Sequence, residues 1–167
     1  MLSREVKAMI FRKASAGDLA QIAVLYTSAI GTEGCTWDQE YPGELEIHGD
    51  FAAGGLYVLE EESCVIGAVS VVPENELDEL GCWELTDGSQ REIARVVIAR
   101  GHAGRGLAGR MLSRLFEELK ASGCHGVRLA VACGNGAAIR TYQKLGFTFL
   151  GECEMYGSRY YLCEKEL

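Results

Sequence analysis

The chain has 167 residues, 48% of them hydrophobic and 24% charged. That fits one soluble globular domain, residues 1–167, able to bury roughly 70% of its unfolded surface without metals or cross-links. Sixteen Lys and Arg against 24 Asp and Glu leave a net charge of −8, which argues against a general nucleic-acid binder because neutralising phosphates takes a surplus of cations.

Residues 1 to 8 read as a loose extension ahead of a first strand, Met9 to Lys13. The opening MLSREVKAMIFRKASAGDLA holds no apolar run of signal-peptide length, and no stretch approaches a membrane span, so neither secretion by that route nor a membrane is expected. Ser15 to Asp18 offers a helix start with Asp18 as N-cap, and Leu19, Ile22, Ala23, Leu25, Tyr26 and Ile30 follow the helical period. Gly31 to Gly43 is a loop, and Glu44 to Ala53 a second short helix closed by Gly54-Gly55. Leu56 to Glu60 and Cys64 to Val72 form a hairpin around the acidic tip Glu61-Glu62-Ser63. After an acidic connection, Arg91 to Ala99 is an apolar strand with charged ends. The stripe Leu107, Ala108, Met111, Leu112, Leu115, Phe116 and Leu119 defines a strong amphipathic helix from Gly106 to Ala121. Val127 to Ala132 is a buried strand, Asn135 caps a helix to Leu145, and Phe147 to Glu152 with Arg159 to Glu166 form a closing antiparallel pair. The order implies an α/β fold, a mixed sheet with helices on both faces.

Seven cysteines, an odd number without a C-x-x-C or zinc-like spacing, suit a reduced, cytoplasmic compartment, with most of them acting as small buried hydrophobes. His48, His102 and His125 are scattered and suggest no metal, Cys124-His125 reads as structural, and no Gly-x-Ser-x-Gly elbow is present.

The charge is unevenly placed. Residues 14 to 90 carry 16 acids and no Lys or Arg, whereas 91 to 114 carry six arginines and only Glu92 as an acid. The basic strip surrounds Gly104-Arg-Gly-Leu-Ala-Gly109, a glycine turn between a strand and a helix N-terminus. Exposed amides and the helix dipole make such a turn an anion site, so a phosphate-bearing ligand is expected. The plainer alternative is a helix start that uses glycine for a tight turn. The turn also spells G-x-G-x-x-G, but no acid ends the next strand to hold a ribose, which weakens a dinucleotide reading, and no Gly-Lys-Ser/Thr supports a P-loop.

At these residues the chain resembles the GNAT superfamily of acyl-CoA-dependent N-acyltransferases. Gly106 and Ala108 match the acyl-CoA motif Q/R-x-x-G-x-G/A, with Ala103 where Gln or Arg is usual. Asn135, Ala138, Tyr142, Lys144, Gly146 and Phe147 match the block N-x-x-A-x-x-x-Y-x-K-x-G-F. The resemblance covers residues 9 to 166 and implies the GNAT fold, with a mostly antiparallel mixed sheet. It implies that acetyl-CoA is the co-substrate and that the amides of Ala103, Gly104, Arg105, Gly106, Leu107, Ala108 and Gly109 cradle its pyrophosphate. Pantetheine would lie between splayed strands beside Val96, Val97 and Ile98, and Asn135, Ala138 and Tyr142 would also contribute to binding the coenzyme.

Acyl transfer from a thioester to an amine needs a neutral amine, a stabilised oxyanion and a proton for the leaving thiolate. Tyr142 matches the family tyrosine near the coenzyme sulfur and is the candidate general acid; its alternative is a core tyrosine. Glu92 matches a position where some members carry a base, against the alternative of a surface acid between arginines. The resemblance places the acceptor under the first helices and their loop, nominating Trp37, Asp38 and Tyr41 with Trp83 and Glu84. Aromatics beside acids suit a cationic primary amine, on a small molecule or a peptide. Direct transfer without a covalent enzyme intermediate is expected, from a monomer or homodimer. The alternative is a non-catalytic acyl-CoA sensor of the same fold.

Overall fold

The computed structural model describes residues 8–72 and 76–167; the extension expected for residues 1 to 8 falls almost wholly outside them, as does the start of the acidic connection. Seven strands form one sheet: β1 (Met9–Lys13), β2 (Leu56–Glu61), β3 (Cys64–Val72), β4 (Arg91–Ile98), β5 (Gly126–Ala132), β6 (Thr148–Met155) and β7 (Ser158–Glu166). The helices are α1 (Leu19–Ala29), α2 (Glu44–Ala52), α3 (Leu107–Ala121) and α4 (Gly136–Lys144). This is the element order expected from the sequence, with strand ends moved by one to three residues.

The sheet order is β1-β2-β3-β4-β5-β7-β6, with β4 and β5 parallel and every other pair antiparallel. The two tight hairpins turn on residues with positive φ, Glu62 and Ser63 between β2 and β3, and Tyr156 and Gly157 between β6 and β7. Two such residues in sequence match the right-handed twist of the strands they join.

Helices cover both faces. The larger core packs Met111, Leu112, Leu115, Phe116 and Leu119 of α3, and Tyr142 of α4, on Ile93, Val127, Leu129 and Val131. The smaller core sets Ile22, Leu25 and Tyr26 of α1 and Ile47 of α2 against Val58, Ala68 and Val97. The strongly amphipathic α3 buries Leu107, Met111, Leu112, Leu115, Phe116 and Leu119 along one stripe.

At the first helix the capping differs from expectation. Asp18 is not a side-chain N-cap; it is the N3 partner of Ser15, accepting from the Ser15 amide at 2.7 Å and hydroxyl at 2.9 Å after a single 3-10 turn, Ala16–Asp18. Arg12 of β1 also donates to both Asp18 oxygens, at 2.7 and 3.0 Å, and this contact foremost holds the carboxyl far below the usual aspartate value. A depressed carboxyl stabilises the fold above its unfolded pKa and loses that contribution as pH falls through its folded value. Asp18→Asn is therefore expected to destabilise the protein by about 1–3 kcal/mol at pH 7, with the difference from wild type closing below about pH 4; urea melts across pH 2 to 7 check it.

The cysteines are all free thiols, but only Cys124 and Cys163 are buried; Cys64 is exposed and the other four are half-buried. The expectation that most are buried fails because several lie at strand ends and in loops. Burial pushes the Cys163 thiol up to about 12.

Candidate acyl-transfer site

Strands β4 and β5 hydrogen-bond only at their beginnings, where Arg91 pairs Val127 and Glu92 pairs Arg128, although they are eight and seven residues long. Beyond that point they diverge, opening a slot in the middle of the sheet. A bulge in β4 accompanies the divergence. Ala68 pairs Val97 and Ser70 pairs Ala94, so Val69 faces both Arg95 and Val96, and Arg95 takes a φ of +52°. An extra residue on one strand bends it and increases its local twist.

Above the slot lies the glycine turn. After the single 3-10 turn Arg100–His102, Gly104 and Gly106 adopt φ of +75° and +69°, and α3 starts at Leu107. The first helical amides, those of Leu107, Ala108 and Gly109, have no carbonyl four residues back to bond. They and the positive end of α3 favour an anion. A Cβ at Gly104 or Gly106 would meet nothing within 4 Å, so glycine is needed here for conformation and not for lack of room. Gly106→Ala is expected to cost about 1–2 kcal/mol of stability and to raise the KM for acetyl-CoA more than it lowers kcat. Steady-state kinetics beside a thermal melt would check this.

The turn is braced from an unexpected direction. Glu61, assigned from sequence to the acidic hairpin tip, is buried and accepts from Arg105 at 3.2 Å and lies 3.1 Å from the His102 ring. Arg105 first, then His102, hold its carboxyl below the usual glutamate range. Ala103 is exposed and brings no such contact of its own. Asn135 caps α4 by accepting the Ala138 amide at 3.2 Å, and Ala138 packs on the larger core.

Tyr142 stands on α4 with its ring edge against Phe147, centroids 5.5 Å apart. Burial, and to a smaller extent Cys163, pushes its hydroxyl well above the usual phenol value, so it stays protonated at neutral pH. Alternation along β4 turns Ile93 into the α3 core and Glu92 to the opposite face, beside Arg128. Glu92 is thus half-buried on that face, not a surface acid among arginines. The same alternation turns Val97 toward α1, while Val96 and Ile98 pack at the margin of the larger core.

Residues 31–43, the α1–α2 loop, roof this face. Arg100 donates to the Ile30 carbonyl at 3.1 Å, Tyr160 to Thr36 at 3.1 Å, and Gly34 approaches Gly134 and Asn135 so closely that a Cβ would stand 2.5 Å from the Asn135 backbone. The loop therefore reaches from the end of β4 to the turn after β5. Trp37 lies edge-on to Tyr26 at 5.3 Å. Asp38 accepts the amides of Glu40 and Tyr41 at 2.8 and 2.9 Å, so its carboxylate shapes the loop.

Trp83 donates to the Leu77 carbonyl at 2.7 Å, and the Arg128 guanidinium covers its ring at 4.8 Å. Glu84 is exposed; its amide and that of Leu85 donate to Glu164, each at 2.9 Å. Arg128 also bonds Glu164 and Asp78, both at 3.1 Å, and the Leu85 carbonyl.

Sequence reading missed the polar cluster at the β4 bulge. Arg95 donates from Nε and Nη2 to both Asp50 oxygens, at 2.9 and 2.8 Å, and from Nη1 to the Tyr41 hydroxyl at 2.9 Å. Ser70 donates to Asp50 at 2.5 Å, and Tyr26 is buried beside them, its hydroxyl pushed up to about 12 by burial. The available signal was a charge inside an apolar strand, at Arg95 and again at Arg128. Among the described residues no group of three or more His, Cys, Asp or Glu could hold a metal ion, and no helix is long and apolar enough to cross a membrane.

A split parallel pair beside a glycine-turned helix N-terminus defines an acyl-CoA transferase fold, and the comparisons agree. The model of the acetyltransferase (GNAT) family matches residues 21–147, and the chain belongs to that family. It is an acyltransferase with acetyl-CoA as co-substrate. It is 28% identical over 153 residues to the L-amino acid N-acyltransferase MnaT of Escherichia coli, covering 89% of this chain and 83% of that protein. It is also 28% identical over 153 residues to an L-methionine sulfoximine/L-methionine sulfone acetyltransferase of Pseudomonas aeruginosa, covering 89% and 86%. Among solved structures, a GNAT acetyltransferase of Streptococcus agalactiae superposes with a TM-score of 0.82 at 23% identity, covering 95% of each chain. The yncA structure of Salmonella typhimurium, solved with acetyl-CoA, gives 0.72 at 24% identity, covering 95% and 94%.

Proposed function

We propose that this enzyme transfers acetyl from acetyl-CoA directly to the primary amine of a small, amino-acid-like acceptor in the cytoplasm. The observation that carries the reading is the slot between β4 and β5 directly below the glycine turn, with Tyr142 on one face and Glu92 on the other. The named relatives that act on L-amino acids and on methionine sulfoximine support the acceptor class.

The pyrophosphate would rest on the amides from Ala103 to Gly109, and pantetheine would run down the slot along Val96, Val97 and Ile98. The amine nitrogen attacks the thioester carbonyl carbon; the C–N bond forms as the C–S bond breaks. Glu92, directly or through water, takes the proton the amine loses, and Tyr142 supplies one to the departing thiolate. Holding the two reactants together lowers the barrier by roughly 7–11 kcal/mol, and each proton group contributes about 10² to 10⁴ in rate.

The test is thiol release from acetyl-CoA across amino acids, polyamines, peptides and neutral amines, beside thermal stabilisation by acetyl-CoA. Amine-dependent release is expected. Stabilisation of roughly 2.7 kcal/mol at 100 times Kd without release from any amine would instead make the protein an acyl-CoA sensor.

A further inference from the structure

We propose that Arg95 reads the acceptor's carboxylate, restricting this enzyme to amino acids with a free carboxyl group near the reacting amine; the inference rests on the N-acetyltransferase reading above. Arg95 occupies the β4 bulge at φ +52°, a conformation that costs a non-glycine residue about 1–2 kcal/mol and that sets its side chain among α2 and the roofing loop. It precedes Val97 and Ile98 by two and three residues, about 7–10 Å along a strand, a separation that one small molecule can span.

Its donors are preset. A guanidinium carries five N–H groups, and three are engaged, two by Asp50 and one by Tyr41. Asp50 is itself fixed by Ser70, so the planar fork is locked before a ligand arrives, and its two remaining N–H groups suit a carboxylate. The hydrogen bond to Tyr41 is solvent-exposed and Tyr41 is 43% exposed, whereas the Arg95 side chain keeps 12%. The guanidinium thus lies mostly buried behind the more exposed Tyr41. Arg128, the other cation in an apolar strand, is engaged by two carboxylates, a carbonyl and the Trp83 ring and is no rival. Of the two acids nominated to draw in a cation, Asp38 is committed to loop amides and Glu84 stands exposed on the loop beside Trp83.

The experiment compares kcat/KM for L-methionine, its carboxamide and its decarboxylated amine, in wild type and in the double variant Asp50→Asn/Arg95→Met, which removes both charges of the pair together. Wild type is expected to favour the free carboxylate on the order of 10²-fold, the value of charged hydrogen bonds to a buried partner. The double variant is expected to lose that preference while acetyl-CoA still raises its melting temperature as in wild type. Equal use of all three acceptors by wild type, or an undiminished preference in the variant, overturns the proposal.

If the variant does not fold, competition in wild type decides. The desamino carboxylic acid is expected to inhibit competitively against methionine, and its failure to inhibit at concentrations where methionine saturates overturns the assignment. Absence of thiol release with every amine would overturn the transferase reading itself, a result distinct from acetylation that ignores the carboxylate.

Discussion

Replacing Tyr142 by Phe is expected to lower kcat by about 10²-fold or more while leaving the KM for acetyl-CoA nearly unchanged. The ring stays packed on Phe147 and the α3 core when only the hydroxyl is removed, so the variant should melt within about 1 kcal/mol of wild type. That separates the acid from its alternative as a core tyrosine, for which kcat would not move. Because burial raises the hydroxyl above its ordinary value, the group stays protonated throughout the neutral and mildly alkaline range. Its ionisation should therefore produce no fall in wild-type kcat up to pH 9. A kcat unchanged by the substitution would remove Tyr142 from the mechanism and leave solvent as the proton source.

Arg128→Met is expected to destabilise the protein by about 3–5 kcal/mol, the cost of stranding a buried carboxylate. Both Arg128 and Glu164 are less than a tenth exposed, and the ion pair between them sits under the loop that carries Trp83, Glu84 and Leu85. Without the guanidinium, the buried Glu164 charge keeps only the amides of Glu84 and Leu85, Trp83 loses the cation on its ring, and the Leu85 carbonyl loses its donor. Limited proteolysis should then cut within residues 76–90 before the rest of the chain unfolds. A double variant, Arg128→Met with Glu164→Gln, should recover a large part of the loss, because no uncompensated charge remains. Urea denaturation of the three proteins measures it.

These two expectations lie at opposite ends of what a linear reading reveals. Tyr142 was legible because its neighbours Asn135, Ala138, Gly146 and Phe147 lie on one short helix and its turn, where spacing along the chain is spacing in the structure. The same holds for the glycine turn from Gly104 to Gly109, whose shape is set by its own backbone at Gly104 and Gly106. Arg128 gave only a hint, a charge in an apolar strand, since its partners lie 36 to 50 residues away. Glu61 misled for the same reason. Its place beside Glu62 and Ser63 suggests a solvated tip, yet Glu62 and Ser63 alone make the turn, and Glu61 remains in β2 facing Arg105 and His102.

The acceptor side shows the difference most plainly. Counting charge divides the chain into an acidic stretch from 14 to 90 and a basic strip after it, and the basic strip runs through the glycine turn that opens α3. Several acids of the acidic stretch are engaged within the fold. Its carboxylates cap loop amides at Asp38, brace the turn at Glu61, and neutralise Arg95 at Asp50.

What the amino-acid order determined by itself was the succession of strands and helices, the amphipathic faces, the two short motifs and hence the GNAT family, because all of these depend on local periodicity and backbone permission. Only the tertiary structure decided the sheet order, the bulge at Arg95, the divergence of β4 from β5 and the pairing of each buried charge. Those depend on which distant groups meet once the chain has collapsed, and a buried ion's meaning is set by its partner and not by its position in sequence.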